Sequence, residues 1–271
     1  MTHGFIICTK SDTINTEKIK KMEIIKEKTK IDAHSIWISD IHLGSNGCKS
    51  ARLLDFLNSI NCNNLFLVGD IVDNWLVTKI QSLTNEQRDI IQKIRDLKDN
   101  GLNVVYLPGN HDNQLRKKTS FYNVPIKDEL CYTSLKNKSY LILHGDQVDT
   151  SMYGKSRVLS FIGGWIYECC LTARKISEKF KKTNEKKSDF SRWLKVTIKN
   201  LFAKLTKYDQ KLFSYISNKK VDGVICGHSH QPRIGFLSKK EYMNSGDWID
   251  NCTSIIEDHS GAFRLIKWDV D

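Results

Sequence analysis

Short apolar runs rich in β-branched and aromatic residues recur along the chain from residue 35 onward, and each gives way to polar residues. Five of them span residues 35–39, 65–69, 104–107, 140–143 and 221–226. Their length and composition predict buried strands. Two segments with helical spacing, 49–60 and 84–100, separate the first three runs, and Gly101 follows the second as a helix C-cap would. The alternation predicts an α/β fold with loops at the strand ends.

The rest of the chain divides into three further parts. Residues 1–32 are polar and Lys-rich, which predicts a flexible basic extension before a core formed by 33–149 and 221–271. Between 150 and 220 the strand pattern stops, and helical spacing of apolar residues predicts a basic helical cap insertion. The short alternating runs 234–237, 241–244, 253–257 and 263–268 predict a second, largely antiparallel sheet.

Composition excludes several classes of protein. The apolar fraction is 40% and the charged fraction 27%, as in ordinary soluble proteins. Polar residues interrupt every apolar stretch before the roughly 20 residues that a membrane span needs, so no transmembrane helix is expected. The start of the chain lacks the pattern of a secretory signal, which predicts a cytoplasmic protein. The eight cysteines form no C-x-x-C pair and indicate reduced thiols rather than a disulfide framework or zinc site.

Candidate metal ligands follow the five predicted strands in order. The motifs are Asp40-Ile41-His42, Gly69-Asp70-Ile71-Val72-Asp73, Gly109-Asn110-His111-Asp112, His144-Gly145-Asp146 and Gly227-His228-Ser229-His230. Alternate residues at a strand end can turn a carboxylate and an imidazole toward one point. A single motif of this kind is typical of a cap or a surface residue. Five of them after five strand-like runs indicate one shared metal site.

The residue types favour a binuclear site without thiolates. Mixed carboxylate, amide and imidazole ligands suit Mn²⁺, Fe²⁺ or Zn²⁺. Two such ions polarise a phosphoryl group, activate a water as hydroxide and stabilise the leaving oxygen. The reaction class that follows is hydrolysis of phosphate esters. A metal-free scaffold on the same fold is the alternative, and the intact ligand set argues against it.

Together the motifs resemble the calcineurin-like metallophosphoesterases over residues 35–268. The resemblance implies a four-layer α/β (α+β) fold, a two-sheet sandwich flanked by helices. It implies two divalent ions, with Mn²⁺ expected and Fe²⁺, Zn²⁺ or Mg²⁺ as alternatives. The implied ligands are Asp40, His42, Asp70 and His230 for one ion and Asp70, Asn110, His144 and His228 for the other. His111 would protonate the leaving oxygen or grip the phosphate, with Asp73 orienting its imidazole.

Finer features resemble one family within that group. These are residues 39–44, 69–75, the His144-Gly145-Asp146-x-x-Asp149 pattern and Asn244-Ser245-Gly246-Asp247-Trp248. They are similar to UDP-2,3-diacylglucosamine pyrophosphatases, particularly the second branch of that family. This implies cleavage of the pyrophosphate to lipid X and UMP, a step of lipid A biosynthesis at the inner face of the cytoplasmic membrane. The better-known branch carries arginine at the position of His111.

Positive charge is concentrated in the predicted cap. Residues 174–211 hold thirteen Lys or Arg against four Asp or Glu, so +9 of the formal +11 lies there. With the apolar stripe that contains Trp165 and Ile166, this region could bind the acyl chains of a glycolipid and an anionic inner-membrane surface. A core-facing stripe beside a solvated charged face explains the same pattern equally well. No oligomeric state is indicated.

Two other functions stay open at this point. A general soluble metal-dependent phosphatase or phosphodiesterase would use the same ligands without a lipid pocket. A nuclease or nucleic-acid-binding protein would explain the basic charge. Nucleic acid is the less favoured partner, because the positive region lacks aromatics interleaved at regular intervals for base stacking.

Overall fold

The computed structural model of the chain describes residues 21–73, 83–148 and 208–270. Two β-sheets lie face to face in these ranges, and helices cover their outer faces. The helices are α1 (Ser50–Ser59), α2 (Asn85–Asp99) and α3 (Tyr208–Ser217), with 3₁₀ turns at Asn113–Lys117 and Asp146–Val148. The strands are β1 (Glu23–Ile25), β2 (Ile31–Ile38), β3 (Ile60–Val68), β4 (Asn103–Leu107), β5 (Ser120–Phe121), β6 (Val124–Pro125), β7 (Glu129–Thr133), β8 (Ser139–Leu143), β9 (Gly223–Cys226), β10 (Arg233–Leu237), β11 (Lys240–Asn244), β12 (Thr253–Glu257) and β13 (Phe263–Trp268).

The first sheet has the strand order β1-β13-β12-β2-β3-β4. Strands β2, β3 and β4 are parallel, with Ile36 opposite Leu65 and Leu65 opposite Val104. Parallel neighbours end at the same edge of a sheet, where ligand sites of α/β proteins form. The turns that carry the first three motifs therefore leave the sheet side by side.

The second sheet has the strand order β10-β11-β9-β8-β7. Strands β8 and β9 are parallel, so the two motifs that follow them, 144–146 and 227–230, also leave their sheet together. Strands β5 and β6 form a separate short hairpin.

Strands β12 and β13 correct one expectation from the sequence. The prediction that all four late runs build the second sheet is wrong for these two, because β12 lies between β13 and β2 in the first sheet. Its Ile255 is opposite Trp37 of β2, and all five of its residues are buried. A strand with no exposed residue needs neighbours on both edges and cover on both faces, which this central position supplies.

Alternating side chains along the strands build the layers. Ile36 and Ile38 of β2 face the core under α1 and α2, whereas Trp37 faces the second sheet and stacks on Phe66 with ring centroids 5.3 Å apart. In β8 of the second sheet, Leu143 faces away from the first sheet and packs under α3. This period of two gives helix, sheet, sheet and helix layers. The predicted four-layer α/β class is confirmed.

The predicted domain division lies partly outside the described residues and stays a prediction. Within the range 1–32, β1 pairs in parallel with β13, and Asp269 N–H donates to the Ile25 carbonyl (2.8 Å). Within the range 150–220, α3 buries Leu212 and Ile216 against the second sheet. Trp165 and Ile166 lie outside the described residues. No helix in the described ranges is both long and apolar enough to cross a bilayer.

Candidate metal centre

Hydrogen bonds between strand ends bring the five motifs to one place. Asp40 N–H donates to the Gly69 carbonyl (3.0 Å) in the first sheet, and Gly227 N–H donates to the His144 carbonyl (3.0 Å) in the second. His228 N–H donates to Asp40 Oδ2 (3.0 Å), which joins the two sheets. The motif loops thus form one continuous edge of the sandwich.

The side chains at this edge form three clusters whose potential ligand atoms lie within 4.8 Å of one another. Two of them are Asp40, His42 and His230, and Asp70, His144 and His228. In the third, His42, Asp73 and His111, both rings donate to Asp73 Oδ1 through Nδ1–H. Asp40 Oδ1 lies 3.1 Å from His230 Nε2, and Asp70 Oδ2 lies 3.2 Å from His144 Nε2. Each of the first two clusters combines a buried carboxylate with two imidazoles and can hold a divalent cation.

Unpartnered atoms test whether a cation fits there. Two buried side-chain atoms of the edge, His42 Nε2 and Asn110 Oδ1, lack a hydrogen-bond partner among the described residues. A buried polar atom without a partner costs about 1–3 kcal/mol. Coordination of a cation would satisfy both, because imidazole nitrogen and amide oxygen are ligand types for divalent ions. The residues therefore fit the metal that their motifs imply.

Backbone strain is concentrated at the same edge. Asp40, His42, Asp70, His228 and His230 have φ values of 54°, 55°, 54°, 64° and 53°. This left-handed region costs a residue with a Cβ on the order of 1–3 kcal/mol and persists where the surroundings enforce it. Strain shared by five candidate ligands indicates that the turns are built to aim these side chains.

Two glycines allow the close approach of the loops. A Cβ at Gly109 would lie 2.3 Å from Asp70 Oδ1 and 2.5 Å from His144 Cδ2. Gly69 has φ +81°, and a Cβ there would lie 2.2 Å from His144 Nδ1. Any larger residue at either position would displace Asp70 or His144, so both glycines belong to the site.

The imidazole rings are oriented by the groups behind them. His144 Nδ1–H donates to the Val68 carbonyl (2.8 Å), which leaves Nε2 facing Asp70. His230 Nδ1 lies 3.2 Å from Asp247 Oδ2, which leaves its Nε2 facing Asp40. When a cation replaces the Nε2 proton, such contacts keep the remaining proton on Nδ1 and direct the Nε2 lone pair at the ion. Asp247 was not among the predicted site residues, although it lies in the 244–248 pattern.

One oxygen of Asp73 serves two histidines. Asp73 Oδ1 accepts from His111 Nδ1–H (2.6 Å) and from His42 Nδ1–H (2.8 Å). Burial raises the pKa of Asp73, but the two imidazoles outweigh it and lower the pKa to about 2. His111 is partly exposed, with 19% of its side chain accessible, and its Nε2 lies 3.9 Å from Asp70 Oδ2. His111 thus lies on the more exposed side of the cluster.

Asp112 is a second buried carboxylate that the sequence left without a role. Its Oδ1 accepts from Gly109 N–H (2.5 Å), and its Oδ2 accepts from Ile71 N–H (2.8 Å) and from the Tyr106 hydroxyl (2.5 Å). These contacts join the loops after β3 and β4. Asp112 therefore holds together the two loops that carry Asp70 and Asn110.

The neighbouring carboxylates raise the pKa values of three histidines of the cluster. Burial opposes the charged imidazolium, but Asp73 outweighs it at His42 and raises the pKa to about 9. Asp70 is the strongest opposing group at His144, whose pKa rises to about 10. The carboxylate neighbours of His230 raise its pKa to about 10 as well. His42, His144 and His230 therefore carry a proton on both ring nitrogens at neutral pH when no cation is bound.

We expect the affinity of the site for Mn²⁺ to rise steeply with pH between about pH 6 and about pH 8, by tenfold or more per unit. A bound proton must leave before an imidazole can ligate, so below the raised pKa values each displaced proton adds a factor of about ten per pH unit. Titration with Mn²⁺ followed by electron paramagnetic resonance measures the affinity. A constant affinity across this range would contradict the protonated metal-free cluster.

A four-layer sandwich with this buried ligand cluster at its strand ends defines a metallophosphoesterase, a hydrolase of phosphate esters. A family model described as calcineurin-like phosphoesterase matches residues 34–232. The chain belongs to the calcineurin-like phosphoesterase family, and this membership implies divalent metals at the cluster.

Individual relatives are distant. A UDP-2,3-diacylglucosamine hydrolase of Chromohalobacter salexigens is 27% identical over 137 residues, and the match covers 48% of this chain and 55% of that protein. One from Pseudomonas entomophila is 24% identical over 246 residues, covering 86% of this chain and 98% of that protein. A solved structure from Streptococcus pneumoniae, described as a predicted phosphoesterase, is 12% identical with a TM-score of 0.37, covering 87% of this chain and 97% of the other.

Proposed function

We propose that the chain hydrolyses the pyrophosphate bond of UDP-2,3-diacylglucosamine to give UMP and lipid X. The buried ligand cluster with unpartnered donor atoms is the observation that carries hydrolysis of a phosphoric anhydride or ester. The substrate is supported by the names of the relatives, which are UDP-2,3-diacylglucosamine hydrolases. It is also supported by the 244–248 pattern, which is similar to that of the UDP-2,3-diacylglucosamine pyrophosphatases.

The proposed ligand sets start from the clusters that contain Asp40 and Asp70, add Asn110 to the second and share Asp70 with the first. One ion would be held by Asp40, His42, Asp70 and His230, and the other by Asp70, Asn110, His144 and His228. Two divalent ions, with Mn²⁺ expected, would polarise the phosphoryl group and lower the pKa of a water. In this assignment Asp70 is the one residue that serves both ions.

His111 and Asp73 supply the proton chemistry in this proposal. Hydrolysis breaks one P–O bond of the anhydride, and charge develops on the leaving oxygen. His111 Nε2 would donate a proton to that oxygen or, as imidazolium, hold the phosphate. Asp73 Oδ1 holds the Nδ1–H of the same ring (2.6 Å) and would keep Nε2 directed at the substrate.

The lipid part of the substrate is assigned to the range 150–220. Trp165 and Ile166 are the proposed acyl contacts, and the basic residues around them would hold the protein to an anionic membrane surface. Contacts to a remote part of a substrate are used to position the reacting centre. Acyl contacts should therefore affect turnover of the lipid far more than turnover of a small ester.

Polar substitution of Trp165 and Ile166 together is expected to depress hydrolysis of UDP-2,3-diacylglucosamine by a factor on the order of 10². Hydrolysis of a small aryl phosphodiester by the same variant should stay close to that of the wild type, since the metal ligands are untouched. Both rates are measured with one metal at one pH, on a variant whose thermal unfolding matches the wild type. Equal losses on both substrates would show that the stripe belongs to the core. No loss on either would place the acyl contacts elsewhere.

A general metal-dependent phosphodiesterase is the second candidate. It is favoured by the sequence motifs, because the implied metal ligands all lie outside 149–207 and a general phosphodiesterase needs no lipid contacts beyond them. Incubation of the metal-loaded protein with UDP-2,3-diacylglucosamine, followed by mass analysis, separates the two functions. The proposal expects UMP and lipid X. Turnover of an aryl diester without any turnover of the glycolipid would select the general enzyme.

A further inference from the structure

Asp247 is a buried carboxylate fixed by the loop between β11 and β12. Its Oδ1 accepts three backbone N–H groups, from Ile249 (3.0 Å), Asp250 (2.7 Å) and Asn251 (3.0 Å). Three donors on one oxygen leave the carboxylate little freedom to rotate. The direction of the second oxygen is therefore set by the loop.

That second oxygen faces a candidate metal ligand. Asp247 Oδ2 lies 3.2 Å from His230 Nδ1 and accepts from Asn251 Nδ2 (2.6 Å). The Asn251 amide also donates to the His230 carbonyl (3.1 Å). His230 is thus held at its ring and at its backbone by the same loop, and its Nε2 points at Asp40 Oδ1, 3.1 Å away.

We propose that Asp247 is the positioning residue for His230 and supports one of the two ions but not the other. The inference rests on the ligand assignment of the proposed function. A carboxylate behind a ligating imidazole fixes its tautomer and makes Nε2 a stronger ligand, and loss of such a partner costs about 10–100-fold in metal affinity. The His144 ring has a different partner, the Val68 carbonyl, so the effect should stay with the ion at His230.

Asp247→Asn tests the inference while keeping an oxygen that can accept the three backbone N–H groups of the loop. The asparagine carbonyl oxygen can keep the three backbone N–H groups, while the charge beside His230 is lost. We expect an affinity for one Mn²⁺ lower by about 10–100-fold and an unchanged affinity for the other. Co²⁺ absorption provides a second readout, because the bands of one ion should shift while those of the other stay.

Asp258→Asn is the matched control. Asp258 Oδ1 also accepts backbone N–H groups, from Ser260 (2.9 Å) and Ala262 (3.0 Å), in the turn between β12 and β13. This substitution removes a carboxylate charge that also accepts backbone N–H groups, but in a loop that does not contact His230. It should leave the affinities for both ions unchanged.

Asn251→Ala is a milder variant that keeps the Asp247 charge and removes the amide from the His230 carbonyl. It should lower the affinity for the same ion by a smaller factor. It also tests the inference if Asp247→Asn fails to fold. Wild-type affinities for both ions in folded Asp247→Asn would overturn the inference and leave the ligand assignment standing. Equal loss of both ions would also overturn it. A wild-type protein that takes up no ions would overturn both.

Discussion

Asp70→Ala should lose both ions and nearly all phosphoester hydrolysis. The Asp70 carboxylate is buried, its Oδ2 lies 3.2 Å from His144 Nε2, and its Oδ1 accepts from His111 N–H (2.8 Å). In the proposed assignment it is the only ligand of both ions. Two-metal catalysis contributes several kcal/mol of charge stabilisation, and each 1.36 kcal/mol is tenfold in rate, so activity should fall by about 10³-fold or more.

Metal content and turnover are measured together for this variant. Asp70→Asn repeats the test with the shape of the side chain kept, and Asp89→Ala, which removes an exposed carboxylate of α2, is the control for loss of a charge. Asp89→Ala should match the wild type in both measurements. Two ions at normal affinity with normal turnover in Asp70→Ala would show that Asp70 does not have the central role assigned to it.

His111→Ala should keep both ions and lose the chemical step. His111 belongs to a third cluster with His42 and Asp73, not to the two that contain Asp40 and Asp70, and its Nδ1 is engaged by Asp73 Oδ1 (2.6 Å). A positioned general acid contributes about 10²–10⁴-fold, so kcat should fall by this factor while metal content stays at the wild-type value. Empty metal sites in His111→Ala would contradict the assignment.

The leaving group separates the two roles open to His111. A nitrophenolate leaves without a proton, so loss of a general acid should matter less for a nitrophenyl ester than for a substrate with a basic leaving oxygen. A residue that grips the phosphate should affect both substrates alike. The ratio of the two losses in His111→Ala therefore assigns the role.

Elements with strong local signals were predictable from the sequence. Helix α2 begins where the sequence indicated, because Thr84 and Gln87 form a capping box with hydrogen bonds of 3.3 Å in both directions. The buried halves of β2, β3 and β4 carry continuous apolar runs. These runs predicted both the strands and the edge from which the metal motifs leave.

Elements that depend on distant partners were not predictable. The first half of β3 contains Asn61, Asn63 and Asn64, a residue type that disfavours strands. It is nevertheless a strand, because it pairs with β2 from Ile31 opposite Ile60 onward. The placement of β12 and β13 in the first sheet also depends on long-range pairing that local alternation cannot encode. The same holds for β1, a three-residue strand at the sheet edge.

The candidate ligands were predictable, and the residues behind them were not. A carboxylate or imidazole after an apolar run is visible in the sequence, but a contact such as the one from Asp247 to His230 joins two separate loops. Tyr208, at the start of α3, is a similar case, since its ring lies 5.6 Å from that of His228 in the loop after β9. The sequence did contain the Asn244-Ser245-Gly246-Asp247-Trp248 pattern, but this pattern alone does not show which side chain Asp247 contacts.

The most direct test of the two-ion centre is anomalous diffraction from crystals of the protein loaded with Mn²⁺. The account predicts two peaks at the edge formed by the five motifs. One should lie against Asp40, His42 and His230, and the other against Asn110, His144 and His228, with the Asp70 carboxylate between them. A map with no peak or a single peak at this edge would contradict it. Two peaks of which the Asp70 carboxylate contacts only one would contradict it as well.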